Sequence, residues 1–311
     1  MSQKTNGLKQ QSLAMLMSRY LGLDKLAWSL RRLHCPVSKE ALVLEVGSGN
    51  NPYPRSNVLL DAYEDTPHRG WTPLVNDRPT ILGFVEKLPF KDKAFDFVIA
   101  SHVLEHSPDP GKFLAELSRV AKGGYIEVPD AFTERVNPFR NHRLEITLRK
   151  DTLLISKKPF WIVDQELIDL YEDRAKPVFV KQCITSHPFE FHVRFYWQNN
   201  IKSEVINPDT DAGWPDPPPR CIANTATNWL SALRNRSREV VLMLLRQLLS
   251  QRDRNRTIDI MDLLQCPICD CADLTRKSDH ITCDRCNSSY PLSNGIPVMK
   301  SSKEAVRDKT P

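Results

Sequence analysis

"LEVGSGNNPYP", residues 44–54, reads as a buried strand that runs straight into a glycine turn. Such a turn lets the backbone approach a ligand closely, because glycine reaches left-handed φ values without a side chain in the way. Dinucleotide binding requires G-x-G-x-x-G opening a helix whose N-terminus receives the pyrophosphate. Here the third glycine position is Pro52, with Pro54 two residues on. Ten residues separate Gly47 from the next apolar run at Val58, whereas a right-handed parallel crossover normally takes about a dozen or more, with a helix. The usual first helix is therefore expected to shrink to a turn, leaving no phosphate-binding helix terminus. No Gly-Lys-Ser/Thr follows, which excludes a Walker loop. By elimination, the ligand lacks phosphates.

Outward from this stretch, apolar runs at 42–46, 58–62, 81–85, 95–100 and 124–128 read as strands of a parallel sheet covered on both faces. Residues 110–121 supply a helix that ends at Gly123-Gly124. Upstream, Leu13, Leu16, Tyr20, Leu23, Leu26, Leu30 and Leu33 recur at helical spacing, and Gly22 and Asp24 divide them into two helices. Beyond Pro129, residues 143–149 alternate and can pair with 152–156 across Lys150-Asp151. Residues 189–197 alternate again, with 201–206 as the expected hairpin partner. This order predicts an α/β fold, a doubly wound Rossmann-like sheet with a second, small domain. The expected boundaries are 1–207 for the main domain and 208–257 for a proline-rich linker and an arginine-rich amphipathic helix. Residues 258–303 then form the small domain and 304–311 a disordered tail.

The 41% hydrophobic and 26% charged shares are those of an ordinary globular chain. The N-terminus lacks the order of a signal peptide, and the longest unbroken apolar run, 240–245, is far too short to span a membrane. A cytoplasmic location is expected. The whole net charge of +5 resides between 231 and 256, where seven arginines face only Glu239 and Asp253. These arginines read first as a solvated helix face, and second as a surface for RNA, acidic lipid or an anionic substrate.

Five of the eight cysteines fall within "CPICDCADLTRKSDHITCDRC", residues 266–286. Cys266-x-x-Cys269 and Cys283-x-x-Cys286 are spaced for one tetrahedral zinc, with Cys271 as a possible replacement for Cys269 and His280 a weaker one. A module of this size has too little core to fold alone, so zinc should supply much of its folding free energy.

S-adenosylmethionine carries no phosphate, and "LEVGSGNNP" resembles the first motif of class I S-adenosylmethionine-dependent methyltransferases. The resemblance implies Glu45 at the acidic position, a loop of Gly47, Ser48 and Gly49 against the cofactor, and Asp61 of "LLDAY" on both ribose hydroxyls. "GFVEKLPFKDKAFDFVIASHVLEHSPDPGKFLAEL", residues 83–117, follows the family through Leu88-Pro89-Phe90, Phe95-Asp96 and Ala100 to His106, which adds Ser101 to the cofactor-binding positions. The likeness covers about residues 40–130. Where the family often has an aspartate for the adenine amino group, this chain has Phe84, so adenine falls either to the backbone near Val85 or to stacking on the ring. Taken singly, Glu45 can be a cap and Asp61 a turn residue. Together, at strand ends of one sheet, they indicate the crevice where such folds bind ligands.

Methyl transfer is an in-line displacement, and a hydroxyl acceptor benefits from a general base. His102, Glu105 and His106 follow the fourth strand, and His106 is the favoured base; His142, then His187 or His192, come second. The segment 125–156 looks like methyltransferases of bacterial glycan assembly, which implies O-methylation of a sugar or another small hydroxylated acceptor. "MDLLQCPIC" (261–269) and "YPLSNGIPVM" (290–299) are similar to the small zinc-ribbon activators that partner tRNA, rRNA and release-factor methyltransferases. That likeness implies docking of the module on the edge of the sheet at its third strand, although the activators' central helical insertion is absent. It also supplies the rival reading, methylation of tRNA, rRNA or a translation protein, against which stands the lack of an Asn-Pro-Pro-Tyr motif after the fourth strand. A third reading is a non-catalytic RNA-binding scaffold with a degenerate fold.

Overall fold

A computed structural model describes residues 8–161, 171–215 and 248–300, together with Val240, Met243 and Leu244. Five short strands, β1 (Val43–Val46), β2 (Val58–Asp61), β3 (Thr80–Leu82), β4 (Phe97–Ser101) and β5 (Gly123–Pro129), lie parallel. All of β1, β2, β3 and β5 is buried, as a doubly covered sheet requires. No helix links β1 to β2, in keeping with the ten residues available. Two helices, α1 (Leu13–Tyr20) and α2 (Asp24–Leu30), precede the sheet and part at Gly22 (φ +71°). Their leucine stripe is turned outward: Leu13, Leu16, Tyr20, Leu23 and Leu26 are exposed, while Met15 and Ala27 are buried. Helix α3 (Pro110–Val120) packs Phe113, Leu114 and Leu117 into the core.

After β5 comes a six-residue helix, α4 (Ala131–Val136), then the expected hairpin of β6 (Leu144–Arg149) and β7 (Thr152–Lys157), turned at Lys150 (φ +57°). One pairing departs from expectation. Strand β8 (His192–Gln198) adds antiparallel to β5, completing the order β3-β2-β1-β4-β5-β8, but it has no hairpin partner at 201–206. Instead β9 (Ser203–Val205) runs parallel to β7 in a separate sheet ordered β6-β7-β9. Leu153 and Ile155 of β7 are fully buried there, and that covered surface outweighs the short turn at Asn199 as a guide to pairing.

Most of the arginine-rich segment, 216–239, and the tail at 304–311 lie outside the described residues. Its described end, the short helix Arg252–Thr257, is anchored and not simply solvated. Asn57 Nδ2 donates to Asn255 Oδ1 at 2.8 Å and to Gln251 Oε1 at 2.9 Å, and Arg254 donates to the carbonyls of Lys39 (2.6 Å) and Ala41 (3.0 Å).

The cysteine module holds a four-stranded sheet of β10 (Leu274–Arg276), β11 (His280–Cys283), β12 (Ser289–Ser293) and β13 (Ile296–Pro297). It sits on the open edge of β3. Val298 bridges Leu82 in parallel, and the Met299 N–H donates to the Leu82 carbonyl at 2.7 Å. Below this, the Gln265 N–H donates to Pro89 O (3.0 Å) and the Lys91 N–H to Leu263 O (2.9 Å). Leu264, Cys266, Tyr290 and Met299 join Ile81, Leu88 and Phe90 in one continuous core. An unpaired edge strand invites aggregation, and here the chain covers its own.

Ending the chain after Thr257 should therefore lower the melting temperature of the remaining domain and reduce its solubility, and chelating metal from the full chain should do the same. Leu264→Ala, at a fully buried interface position, should cost about 2–5 kcal/mol in denaturant melts of the full chain. A truncated domain that melts with the intact chain would make the module an independent appendage.

Candidate functional site

The glycine loop leaves the carboxyl end of β1 with Gly47 and Gly49 at φ +63° and +56°. A side chain at Gly47 would meet Val103 Cγ2 at 2.2 Å, so the loop lies directly against the segment after β4. The Gly49 N–H donates to Asp61 Oδ2 at 2.9 Å, clasping the loop to the end of β2. Asp61 Oδ1 accepts from the Tyr63 N–H (3.1 Å) and from Arg69 Nη1 (3.0 Å). Three of the roughly four acceptor positions of that carboxylate are therefore taken within the protein.

Glu45 performs the capping role open to it from the sequence: Oε2 accepts from the Tyr53 N–H (2.8 Å) and from Ser56 Oγ (2.6 Å). Burial raises its pKa, opposed by Arg32 and these two donors. Ser48 Oγ is buried without a hydrogen-bond partner, and such an orphan next to two left-handed glycines fits a ligand that supplies the missing group. Val85 is buried at the start of a single 3-10 turn. Phe84 meets Tyr63 edge-on at 5.9 Å, and Lys300 of the C-terminal module lies 5.0 Å above Phe84.

The ends of β4 and β5 carry a denser network. Glu127 is fully buried within β5, yet it is ionised, its pKa far below normal: burial opposes the charge, but His102 and Arg31 overcome it. Arg31 grips it with two bonds, 2.7 and 2.9 Å. Tyr125 donates a short bond to Oε2, and Ser101 Oγ donates to Oε1 at 3.1 Å. Ser101 therefore serves the network in the described geometry. His102, at φ +58°, lies 3.4 Å from Glu127 and 3.3 Å from Glu105. Burial lowers its pKa, but the two carboxylates outweigh this and push it up to about 9. Its side chain is 40% exposed, so solvent screens part of this hold, and the direction of the shift favours the imidazolium. Glu127 and Arg31 were not evident from sequence; the available signal was one acid inside an otherwise uncharged strand.

Beyond His102 the fold brings together Glu105, His106 and His142. The two imidazoles meet edge to face at 4.7 Å, and one donor atom from each of the three residues lies within 4.8 Å of the others. His142 bonds Glu134 of α4 through Nδ1 at 2.7 Å, and Glu134 also takes Lys158 at 2.7 Å. Burial would raise the Glu105 pKa, but His102 and the imidazoles of His106 and His142 hold it down at about 2. His192 packs on Trp28 at 4.7 Å and bonds the Pro188 carbonyl, and burial lowers its pKa.

In the module, Cys266 and Cys286 Sγ lie 3.6 Å apart, and Cys269 and Cys283 lie 3.5 Å apart. Zinc–sulfur bonds of about 2.3 Å place tetrahedral sulfurs at about 3.8 Å, so these four thiols fit zinc. Cys271 pairs with Asp273 at 3.4 Å and His280 with Asp279 at 2.6 Å, outside the cluster. A cavity of about 330 Å³ between module and sheet is lined by Arg78, Thr80, Arg276 and Asn294. Because Thr80 opens β3, this cavity is at the opposite end of the sheet from the glycine loop.

Residues 62–127 match a family model described as a methyltransferase domain. An uncharacterized methyltransferase of Schizosaccharomyces pombe is 41% identical over 75 residues, which is 23% of this chain and 27% of the relative. The chain thus spans about a quarter of the length of the curated relative it matches. A solved complex between the Haloferax volcanii Trm112 methyltransferase activator and a protein assigned as a methyltransferase contains a chain 17% identical, with coverage of 60% and 95% and a TM-score of 0.33. An S-adenosylmethionine dependent methyltransferase from Mesorhizobium loti is 11% identical, with coverage of 56% and 97% and a TM-score of 0.33. The chain has a Rossmann-like α/β architecture, within which residues 62–127 are similar to a methyltransferase domain. Among the described residues, no helix is long and apolar enough to cross a membrane.

The raised His102 pKa carries a stability consequence. Its contribution should be fully present below the ordinary histidine value of about 6.5 and disappear as pH rises through about 9. Glu127→Gln should lower the His102 midpoint seen by NMR and flatten that pH dependence. Because it leaves Arg31 buried without its anion, it should also cost about 3–5 kcal/mol. A His102 midpoint unchanged by Glu127→Gln would refute the coupling.

Proposed function

We propose that the chain is an S-adenosylmethionine-dependent methyltransferase that O-methylates a sugar, glycan or other small hydroxylated acceptor. The observation that carries the reading is the clasp of the Gly49 N–H on Asp61 at the carboxyl ends of β1 and β2, inside a domain matched to methyltransferases. Gly47, Ser48, Gly49, Asp61 and Val85 would hold the cofactor, with Glu45 supporting the loop from beneath and Ser101 joining from β4. When bound, the cofactor supplies an activated methyl group on a sulfonium, so the protein need only align the acceptor and manage its proton. With His102 held as a cation, proton removal falls to His106, beside the ionised Glu105 and next to His142. Zinc on Cys266, Cys269, Cys283 and Cys286 would maintain the module that covers β3. The module's likeness to activators favours the rival reading, methylation of tRNA, rRNA or a translation protein.

Calorimetry with S-adenosylmethionine tests the first step, since a non-catalytic scaffold binds none. Asp61→Ala should weaken binding by about 1.5–3 kcal/mol, the range for hydrogen bonds to a charged group. Arg69→Met should leave affinity unchanged or improved if Asp61 serves the ribose. Equal losses in both variants would reduce Asp61 to a clamp on the loop.

Transfer of a labelled methyl group to sugars, glycans and RNA separates the acceptors. His106→Ala should lower turnover about a hundredfold or more with cofactor affinity nearly intact. Lost affinity with normal turnover at saturation would instead make His106 a cofactor contact.

A further inference from the structure

We propose that Glu105, His106 and His142 form a second metal site, one that takes a first-row divalent ion such as zinc through two imidazoles and a carboxylate. Three donor atoms, one from each residue, lie within 4.8 Å of one another. Metal–ligand bonds of about 2.0–2.2 Å in a tetrahedral set hold donors about 3.3–3.6 Å apart, so closure of about 1 Å completes the set.

Glu105 points to a ligand independently of that proximity. Its side chain is 2% exposed, and neither carboxylate oxygen accepts a hydrogen bond. The His102 ring lies 3.3 Å from Oε1, which leaves Oε2 without a hydrogen-bond partner. A buried anion normally collects donors. A cation bound between the carboxylate and the two imidazoles supplies what the protein does not.

The surroundings are those of a metal centre. His142 Nδ1 faces the Glu134 carboxylate at 2.7 Å, and Glu134 is itself fixed by Lys158 (2.7 Å) and by the Phe139 N–H (3.1 Å). His106 Nδ1 faces the Asn141 carbonyl at 3.1 Å. Both partners only accept, so each Nδ1 donates to the protein. Metal-bound histidines are commonly oriented through such an outer bond to a carboxylate or carbonyl. Phe139 stacks on His142 at 4.6 Å and fixes the ring plane. Nitrogen and oxygen donors of this kind suit zinc, manganese, iron or cobalt, whereas four thiolates form the separate site in the module.

The role of the ion rests on the methyltransferase reading. It would bind the acceptor hydroxyl and lower its pKa, the proton leaving to solvent, as metals do for bound water. With the ion bound, His106 serves as its ligand in place of the base role it takes in the metal-free site, and the site selects acceptors with a hydroxyl free to reach a metal.

Counting zinc by mass spectrometry on the full-length chain, equilibrated with micromolar free Zn²⁺, tests the site. The wild type should hold two zinc ions, and Glu105→Gln and His106→Gln one each, with the remaining ion attesting a folded module. His106 is only partly buried, so its variant should fold even if Glu105→Gln does not. One zinc in the wild type, or two in His106→Gln, overturns the proposal. A chain that binds S-adenosylmethionine but only one zinc leaves methyl transfer standing without this site. Two zinc ions without cofactor affinity would leave the site and remove the methyltransferase reading.

Discussion

A carboxylate with no solvent exposure sits at the carboxyl end of β5, and much of the cleft is arranged around it. Glu127 remains ionised because Arg31, Tyr125, Ser101 and His102 all converge on it. Each partner carries structural consequences. Arg31 fixes the end of α2 over the sheet, so the N-terminal helices are oriented by a buried charge and not by their leucine stripe, which faces outward. His102 adopts a left-handed backbone, uncommon outside glycine. That backbone lets its ring bridge Glu127 and Glu105. Removing one member of such a set leaves the others buried and unpaired, which costs more than the set contributes when whole.

A second constraint acts at the far edge of the sheet. Strand β3 is three residues long and would present open backbone groups if nothing covered it. The module answers with one backbone bond to Leu82 and a core that runs without interruption into that of the sheet. The ion pair of Lys87 with Asp270 is exposed and adds little beyond orientation. Burial of Leu264 and Met299 carries the attachment, and both side chains belong to the module that the cysteine cluster organises. A tether within one chain makes that cover permanent, whereas a separate partner would dissociate.

The strands, the helix-free crossover after the glycine loop and the β6–β7 hairpin were legible because each depends on local pattern. Alternation and turn residues act over fewer than a dozen positions. Docking of the module on β3 was legible only through likeness to activators, since no spacing rule encodes a contact between residues 82 and 299. The partner of β9 was misread because hairpin proximity competes with surface complementarity, and only the folded chain displays the buried face of β7. His106 and His142 were each singled out, yet their meeting was invisible across 36 positions of sequence. The state of His102 was equally hidden. An imidazole alone reads as a base near neutrality, and only the two surrounding carboxylates reverse that.

Glu127 and Glu105 are both buried, both ionised, and share the His102 ring between them. They differ in what they receive. Glu127 accepts hydrogen bonds on both oxygens and its charge is fully accounted for within the protein, which marks a structural group. Glu105 meets only the His102 ring at Oε1 and has no hydrogen-bond partner at Oε2, and two imidazoles stand beside it. A fold retains an unsatisfied buried charge only where something outside the chain completes it or where chemistry requires it unquenched. The contrast between two carboxylates that touch one histidine thus separates the scaffold of this cleft from its reactive end. On the proposed function, the chemistry would belong to the side of His102 that faces His106 and His142.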